Sequence, residues 1–385
     1  MVSRHGVAEI PSCPLLGRRL LGVGVGILAW LGYRVLSARP ELAESVAGTG
    51  PIPESARLLS LVTGSVPVSL AELLVALFLV RQMLGLARGV RELRSGRTPL
   101  GRIVTGGTLR LAQDVGVLVF LFYALWGFQY AREGVAERLG VASSGEVSAS
   151  EVQRLALLAV DRTNELYREM HGVPDIGRPT PAPPVSELTL GLEEGWSRVL
   201  ADFELPARLE RAHGAPKPFL ASPLVKRFGV GGMYFPYTGE ALVLADLPAP
   251  LMGKSLAHEM AHQRGIASES DANVLAFLVA RESRDPVSRY SAYVFLQQQL
   301  LSILQGLDPE ESARVTAVRY PGVQRDLLDA HLYWEPARGI AGAAATRMND
   351  AMLRSHGIPE GVASYRGSGW IFLALARERG EGVLF

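Results

Sequence analysis

The chain has 385 residues, which is long enough for a membrane module and one substantial globular domain. Its formal net charge of +1 leaves no basic excess to neutralise phosphates, so the composition argues against a nucleic-acid partner. A single cysteine, Cys13, excludes an internal disulfide and a cysteine-rich zinc site. Any metal ion in this protein is therefore expected to be bound by His, Asp or Glu side chains.

Three apolar segments dominate the first third of the chain, at about residues 18–37, 65–84 and 109–130. Each approaches the roughly 20 helical residues that cross a hydrocarbon core of about 30 Å. We therefore predict a membrane domain over residues 1–135, with three transmembrane helices in contact with the lipid bilayer. The first segment lacks a good small-x-small cleavage site, so an uncleaved anchor is favoured over a signal peptide.

Charged residues beside these segments predict their orientation. One acid and five arginines lie between the second and third segments, the arginines being Arg88, Arg91, Arg94, Arg97 and Arg102. Basic loops face the cytoplasm, so the N-terminus is predicted to be cytoplasmic and the chain after the third segment extracytoplasmic. Trp126 and Tyr130 are typical of aromatic anchors at the outer interface. Within the segments, we interpret Glu72 and Asp114 as packing residues.

Residues 148–385 have the pattern of a soluble domain. The sequence Ser150–Gln153 fits a capping box that begins an amphipathic helix. Two short apolar runs, Met233–Phe235 and Ala241–Leu244, flank a turn-forming Pro-Tyr-Thr-Gly sequence and predict a β-hairpin. After Pro250 the pattern is almost wholly helical. The predicted fold class is therefore mainly α, an α+β domain with a small hairpin or sheet.

The sequence His258-Glu259-Met260-Ala261-His262 carries the strongest chemical signal. On a helix, the i, i+4 spacing puts both imidazoles on one face, where one zinc ion can bind a nitrogen from each. Glu259 lies about 100° further round the helix, where its carboxylate can reach water at the metal and act as general base. Polar neighbours such as Lys254 place this motif in the soluble domain and not in a membrane span.

A third metal ligand is expected just after this helix. Gly265 can adopt the left-handed conformation that ends a helix and reverses the chain. Ser268 and Asp271 then fit a capping box for the next helix, which leaves Glu269 in its first turn able to reach the metal. Asp271 is the competing candidate ligand, and a solvated, charged helix start is the alternative for both. Asn273, and Asp271 if it is not a ligand, are candidates to orient the ligands.

The predicted hairpin is a candidate for binding substrate. Extended substrates add as a strand to an exposed sheet edge, which supplies backbone hydrogen bonds without demanding much sequence. The candidate edge is Thr238, Gly239, Glu240 and Ala241, with an ordinary hairpin as the alternative. Tyr290 and Tyr365 are candidates to stabilise an oxyanion, although tyrosines in such positions are more often core or surface residues.

At these residues the chain resembles a family of bacterial multi-pass membrane proteins, a domain of unknown function with a zincin-type motif. The segments that carry the resemblance are Gly231–Val243, Ala257–Leu278, Ser288–Tyr293 and, more weakly, Glu360–Tyr365. The resemblance implies a zincin-like domain in the bacterial cytoplasmic membrane, with one Zn²⁺ on His258, His262 and Glu269 and with Glu259 as catalytic acid/base. The helix from Glu269 is similar to the ExxAD/N helix of Glu-zincins, and Ser268 stands where metzincins place a third His.

We therefore predict a membrane-anchored zinc metallopeptidase whose domain over residues 148–385 hydrolyses extracytoplasmic proteins or peptides. The alternative is a non-catalytic membrane protein with a structural or sensory metal-binding domain. Glu259 favours the enzyme, because a purely structural metal site has no use for a general base.

Overall fold

The structure is a computed structural model that describes residues 13–138, 141, 146–203 and 205–385. It is mainly helical. The described α-helices, in chain order, are α1 (Cys13–Ser37), α2 (Pro40–Ala43), α3 (Pro51–Gly64), α4 (Leu70–Ser95), α5 (Leu100–Leu125), α6 (Val135–Arg138), α7 (Ala149–His171), α8 (Val185–Asp202), α9 (Ser222–Lys226), α10 (Ala249–Gln263), α11 (Glu269–Arg281), α12 (Pro286–Leu307), α13 (Pro309–Ala317), α14 (Pro321–Tyr333), α15 (Ile340–Ser355) and α16 (Ser368–Arg379). The described strands are β1 (Lys217–Pro218), β2 (Gly232–Phe235) and β3 (Glu240–Val243).

Three helices in the described part of the chain are long and apolar enough to cross a membrane. They are α1 over Leu16–Ser37, α4 over Leu70–Ser95 and α5 over Leu100–Leu125. Most of their apolar side chains are exposed on the outside of the protein, as a bilayer contact requires. The prediction of three membrane-length helices is therefore confirmed.

The predicted limits 65–84 and 109–130 are displaced from the helices that form. α4 begins only after Ser69, whose hydroxyl accepts a hydrogen bond from the first helical turn, and it continues to Gly96, which has a φ of 66°. α5 begins directly after Pro99, well before the strongly apolar stretch. Capping residues and prolines set these boundaries, whereas hydropathy marks only the apolar part of each helix.

The two acids in these helices have packing roles, as interpreted from the sequence. Glu72 lies in the first turn of α4, and its carboxylate accepts hydrogen bonds from the backbone N–H groups of Leu220 and Ala221. Asp114 on α5 forms an ion pair with Arg81 on α4 at 2.8 Å. One acid therefore joins the membrane helices to the globular part, and the other joins α4 to α5.

The connection between the first two membrane helices is structured and packs on the globular part. Within it, α3 places the Ser60 hydroxyl where it accepts hydrogen bonds from Gly214 N at 2.9 Å and Gln263 Nε2 at 2.8 Å. The Thr63 hydroxyl donates to the Thr238 carbonyl at 2.8 Å. Residues inside the predicted membrane domain thus help to build the surroundings of the hairpin.

The globular core is centred on α10, which packs against α11 and α12, while α7 lies along α12 and α8 against α11. Its largest fully buried side chains include Trp196, Tyr167, Tyr290, Phe277 and Phe372. The helix predicted to start at Ser150 begins at Ala149, because Ser148 is the residue that caps it. The mainly helical character predicted for residues 148–385 is confirmed.

The described strands form one small sheet in the order β1-β3-β2. β3 pairs in parallel with β1 and antiparallel with β2, with Tyr234 opposite Ala241. The hairpin prediction is confirmed, but the prediction that Thr238–Ala241 is the sheet edge is wrong. β3 is the middle strand, because β1 pairs with its residues Leu242 and Val243 on the side away from β2. The preceding turn is covered by α3, which contacts Thr238 and Gly239. The edge strands in the described part of the sheet are β1 and β2.

Candidate metal centre

Local sequence explains how the chain reverses at the end of α10. Pro250 occupies the first turn of this helix, where its missing N–H is not needed. Gly265 follows the helix with a φ of 86°, a conformation that favours glycine. Ser268 then caps α11 by accepting a hydrogen bond from the N–H of Asp271. This reversal brings the first turn of α11 back beside α10.

Three buried side chains converge where the two helices meet. The Nε2 atoms of His258 and His262 lie 3.0 Å apart, and Glu269 Oε2 lies 3.2 Å from the first and 3.4 Å from the second. Around a tetrahedral zinc ion with bonds of about 2.1 Å, neighbouring ligand atoms lie about 3.4 Å apart. The three side chains therefore have the donor types and spacing to hold one metal ion.

The hydrogen bonds of these groups fit the same assignment. His262 Nδ1 donates to the Ile266 carbonyl at 2.7 Å, so in the neutral ring the lone pair lies on Nε2, the atom that faces Glu269. Within the described residues, His258 Nδ1 and Glu269 Oε2 are buried without a hydrogen-bond partner. Buried polar atoms without partners are costly, and a cation bound among the three groups would provide the Glu269 oxygen with one.

The pKa values of the two imidazoles are shifted in opposite directions. Burial lowers the pKa of His258 to about 3, and the nearby Lys254 and His262 add to this effect. Burial also opposes protonation of His262, but the carboxylates of Glu269 and Glu259 outweigh it and raise its pKa to about 9. Burial opposes ionisation of Glu269, yet the adjacent imidazoles lower its pKa. In the metal-free protein, a proton on His262 therefore balances the charge of Glu269.

Asp271, the competing candidate for the third ligand, faces another part of the protein. Its carboxylate accepts hydrogen bonds from the backbone N–H groups of Val135 at 2.8 Å and Ala136 at 3.3 Å. It thereby fixes the start of α6, in the chain that leaves the third membrane helix. The structure brings Glu269, and not Asp271, to the imidazole pair.

Glu259 lies beside the candidate ligands, with its carboxylate packed against β2. A Cβ atom added to Gly232 would lie 2.6 Å from Glu259 Oε1, so glycine is needed there to leave room for the carboxylate. The backbone N–H of Tyr234 donates to the same carboxylate. Burial raises the pKa of Glu259 to about 7, which suits a group that exchanges protons at neutral pH.

Lys254 is a site residue to which the sequence analysis assigned no role. It lies one helical turn before His258, and its Nζ packs over the ring of Phe295 at 4.2 Å. Burial lowers its pKa to about 8, while the charges of Glu259 and Glu269 oppose this shift. Its i−4 position relative to His258 was the signal in the sequence that could have identified it.

Asn273 has different partners from those expected. Its sequence position predicted that it orients His258 or Glu269. Instead, its side-chain oxygen accepts from Lys254 Nζ, and its Nδ2 donates to the Tyr365 carbonyl at 3.2 Å. Asn273 therefore positions the lysine and the segment that carries Tyr365.

The two tyrosines proposed as oxyanion donors have different environments. Tyr290 is fully buried in the core, and its hydroxyl donates to Asp326 at 2.8 Å, so it does not serve the site. Tyr365 lies on the 3-10 segment Gly361–Arg366, with its ring centroid 6.5 Å from that of His258. Burial and the facing carboxylate of Glu269 raise the pKa of Tyr365, so its hydroxyl remains a donor at neutral pH.

The site adjoins both the end of the third membrane helix and a cavity. Trp126, directly after α5, donates from its indole nitrogen to the His262 carbonyl at 3.1 Å. A cavity of about 400 Å³ lies beside Glu269. Its wall includes Gln129 and Tyr130, which follow the same helix. The space next to Glu269 therefore extends towards the membrane helices.

Comparison with known proteins identifies the family of this chain. No curated protein matches it, and no solved structure matches it. The model of one family, described as a protein of unknown function (DUF3810), matches residues 52–368 and so covers most of the chain, from α3 to the start of α16. The chain belongs to the DUF3810 family of proteins of unknown function.

Proposed function

We propose that this protein is a membrane-anchored, zinc-dependent metallopeptidase that hydrolyses protein or peptide substrates. The observation that carries the proposal is the convergence of His258, His262 and Glu269 on one point, with Glu259 beside them. Two imidazoles and a carboxylate are the ligands of a catalytic zinc site, which keeps one position open for water or substrate. The adjacent second carboxylate can then act as general base.

A zinc ion held by these three residues would supply Lewis acidity, which polarises a scissile carbonyl and lowers the pKa of water. The protein supplies the proton transfers. Glu259 takes a proton from the attacking water as the new C–O bond forms, and it delivers a proton to the leaving amine as the C–N bond breaks. A pKa of about 7 allows the carboxyl group to hold that proton between the two steps.

Substrate contacts follow from the walls of the site. β2 is the edge strand beside Glu259, so we propose that an extended substrate aligns along Gly232–Phe235, in place of the segment first assigned from the sequence. The Tyr365 hydroxyl would donate a hydrogen bond to the oxyanion. Lys254, held by Asn273, would add positive charge near the same place.

A structural or sensory metal site is the competing function. Structural zinc sites are closed by four protein ligands, whereas the group found here in the described residues has three. A second buried carboxylate beside the ligands adds negative charge and a desolvation cost without adding a ligand. Both features favour catalysis.

We further propose that the protein lies in the bacterial cytoplasmic membrane with its N-terminus inside and its globular part outside. The support is the group of arginines at the end of α4, in the short connection after it and at the start of α5, since positive charge at one end of a pair of membrane helices keeps that end in the cytoplasm. Substrates would then be extracytoplasmic.

The decisive experiment compares the purified full chain with its Glu259→Gln and His262→Ala variants. Wild type is expected to contain one zinc per chain by mass spectrometry and to cleave a degenerate fluorogenic peptide library. Glu259→Gln is expected to keep the zinc and lose at least about a hundredfold in rate, because general acid–base catalysis contributes about 10²–10⁴. His262→Ala is expected to lose both. Cleavage by Glu259→Gln at the wild-type rate, or a wild-type protein without metal in zinc-replete medium, would refute the proposal.

A further inference from the structure

The helix that carries the candidate metal ligands rests on the end of a membrane helix. The Trp126 ring lies 6.0 Å from the His262 ring and 5.6 Å from the Tyr234 ring of β2. Its indole nitrogen also donates to the His262 backbone carbonyl. One residue, directly after α5, therefore contacts both a candidate metal ligand and the edge strand.

The hairpin that borders the site is attached to two membrane helices. The Tyr237 hydroxyl donates to the Leu118 carbonyl within α5 at 3.2 Å. The carboxylate of Glu240 accepts from the backbone N–H groups of Leu70 at 3.1 Å and Ala71 at 2.7 Å, at the start of α4. These contacts hold the edge strand at the same end of the membrane bundle, where α5 ends and α4 begins.

The segment that carries Tyr365 is attached at this end as well. Asn349 on α15 donates to the Tyr365 hydroxyl at 3.4 Å, and His356 directly follows that helix. The Tyr33 hydroxyl of α1 donates to the His356 carbonyl at 2.6 Å, and the Tyr123 hydroxyl of α5 lies 3.1 Å from His356 Nε2. All three walls of the site are thus tied to membrane helices.

These attachments limit the height of the site above the bilayer. α5 ends at Leu125, and its strongly apolar stretch lies in its C-terminal half, so the bilayer surface is expected near this end of the helix. The His262 ring is 6.0 Å from the ring of Trp126, the next residue. The candidate metal centre therefore lies close to the bilayer surface, within reach of a few residues of an extended chain.

The cavity beside the ligands begins at the same level. Gln129 and Tyr130, which follow α5, line it together with Glu269. A polypeptide that leaves the bilayer next to this protein can enter the cavity and reach Glu269, the candidate ligand in its wall, without first extending into solution.

From these contacts we infer that the substrates are themselves membrane-anchored proteins, cleaved in an extended segment within about ten residues of the bilayer surface. This inference rests on the proposed peptidase function and specifies its substrate class. A soluble protein would have to bring its cleavage site down to the headgroups, whereas the segment next to a membrane anchor is already there.

The first test uses the full chain in proteoliposomes and one degenerate fluorogenic peptide sequence in three forms. One form is attached to a transmembrane anchor peptide by a Gly/Ser spacer of about 6 residues, one by a spacer of about 30 residues, and one is soluble. We expect the short-spacer form to be cleaved about tenfold faster than the long-spacer form, since effective concentration falls as about the −3/2 power of spacer length. The soluble form is expected to be the slowest. A soluble zinc endopeptidase, added as a control for probe accessibility, is expected to show no such order.

The outcomes separate the two claims. Equal cleavage of all three forms by wild type, with Glu259→Gln inactive, would overturn the substrate class and leave the peptidase intact. Equal behaviour of wild type and Glu259→Gln on every form would refute the peptidase itself, and the substrate class with it.

A second test measures position without activity. In a Cys13→Ser background, a donor dye is placed at Met233→Cys on β2, beside the residues that contact Glu259, and acceptor dyes are placed on lipid headgroups. The matched control is Glu310→Cys on α13, a helix that packs mainly on α7 and α12. We expect clearly stronger energy transfer from residue 233. Transfer from residue 233 no stronger than from residue 310 would overturn the inference.

Discussion

The assignment of Glu269 as third ligand makes a sharp prediction, because Asp271 lies two residues away in the same helical turn. Glu269→Gln keeps the size of the side chain and removes its charge at a position 3.2 and 3.4 Å from the two imidazole nitrogens. Asp271→Asn makes the same chemical change at a carboxylate that accepts hydrogen bonds from Val135 and Ala136. The two variants therefore form a matched pair.

The expected magnitude follows from the ligand count. Zinc sites in peptides bind with about 10–16 kcal/mol, which is about 3 kcal/mol for each of four coordination positions. Loss of the charged ligand should therefore weaken zinc binding about a hundredfold, at 1.4 kcal/mol for each factor of ten. Asp271→Asn should change zinc affinity by less than about threefold, but it should lower the free energy of unfolding by about 1–2 kcal/mol, because it weakens buried, charge-assisted hydrogen bonds.

Zinc affinity is measured by competition with a chromogenic chelator on the detergent-purified full chain, with thermal unfolding recorded in parallel. Folded protein by size exclusion is the condition for comparing the two variants. If Asp271→Asn weakens zinc binding as much as Glu269→Gln does, or if Glu269→Gln binds zinc like wild type, the ligand assignment is wrong.

Three further predictions concern the surroundings of the site. Gly232→Ala should lower the peptidase rate at least about tenfold at unchanged zinc content, because the added methyl group would displace the Glu259 carboxylate from the reacting water. The control is Gly231→Ala, which should stay active because its added Cβ lies 3.4 Å from the nearest neighbouring atom. Zinc binding at pH 7 should release about one proton from the His262 imidazole, because the pKa of this group is about 9. The apparent zinc affinity should therefore rise with pH up to about 9. Calorimetry in buffers of different ionisation enthalpy measures the proton release, and a zinc affinity independent of pH between about 6 and 8 would contradict the prediction. Glu240 forms a buried ion pair with Lys217, whose Nζ lies 2.6 Å from Glu240 Oε1. Glu240→Gln should therefore lower the free energy of unfolding by about 3 kcal/mol, because it leaves the buried lysine charge uncompensated. An unchanged denaturation midpoint would show that the pair is not needed.

Features that depend on a local pattern could be predicted from the amino-acid sequence alone. Three membrane-length helices follow from hydropathy, and the His258-to-His262 helix follows from spacing. The reversal at Gly265 and the cap at Ser268 follow from residue types that favour these conformations, glycine for a positive φ and serine for an N-cap. In each case the information lies within about one helical turn or one apolar segment, so neighbouring residues are enough to specify the structure.

Contacts between residues far apart in the chain could be assigned only from the folded protein. The sequence favoured Glu269 as third ligand but left Asp271 as a competitor, and the structure separates them because the backbone N–H groups of Val135 and Ala136 bind the Asp271 carboxylate. The predicted edge strand β3 is the middle strand, because β1 pairs with it on the side away from β2, and the edge strand beside Glu259 is therefore β2. Tyr365 lies beside His258, whereas Tyr290 is buried in the core. These contacts depend on which distant segment of the chain lies beside each hydrogen-bonding group or strand edge in the folded protein, and no local sequence pattern contains that information.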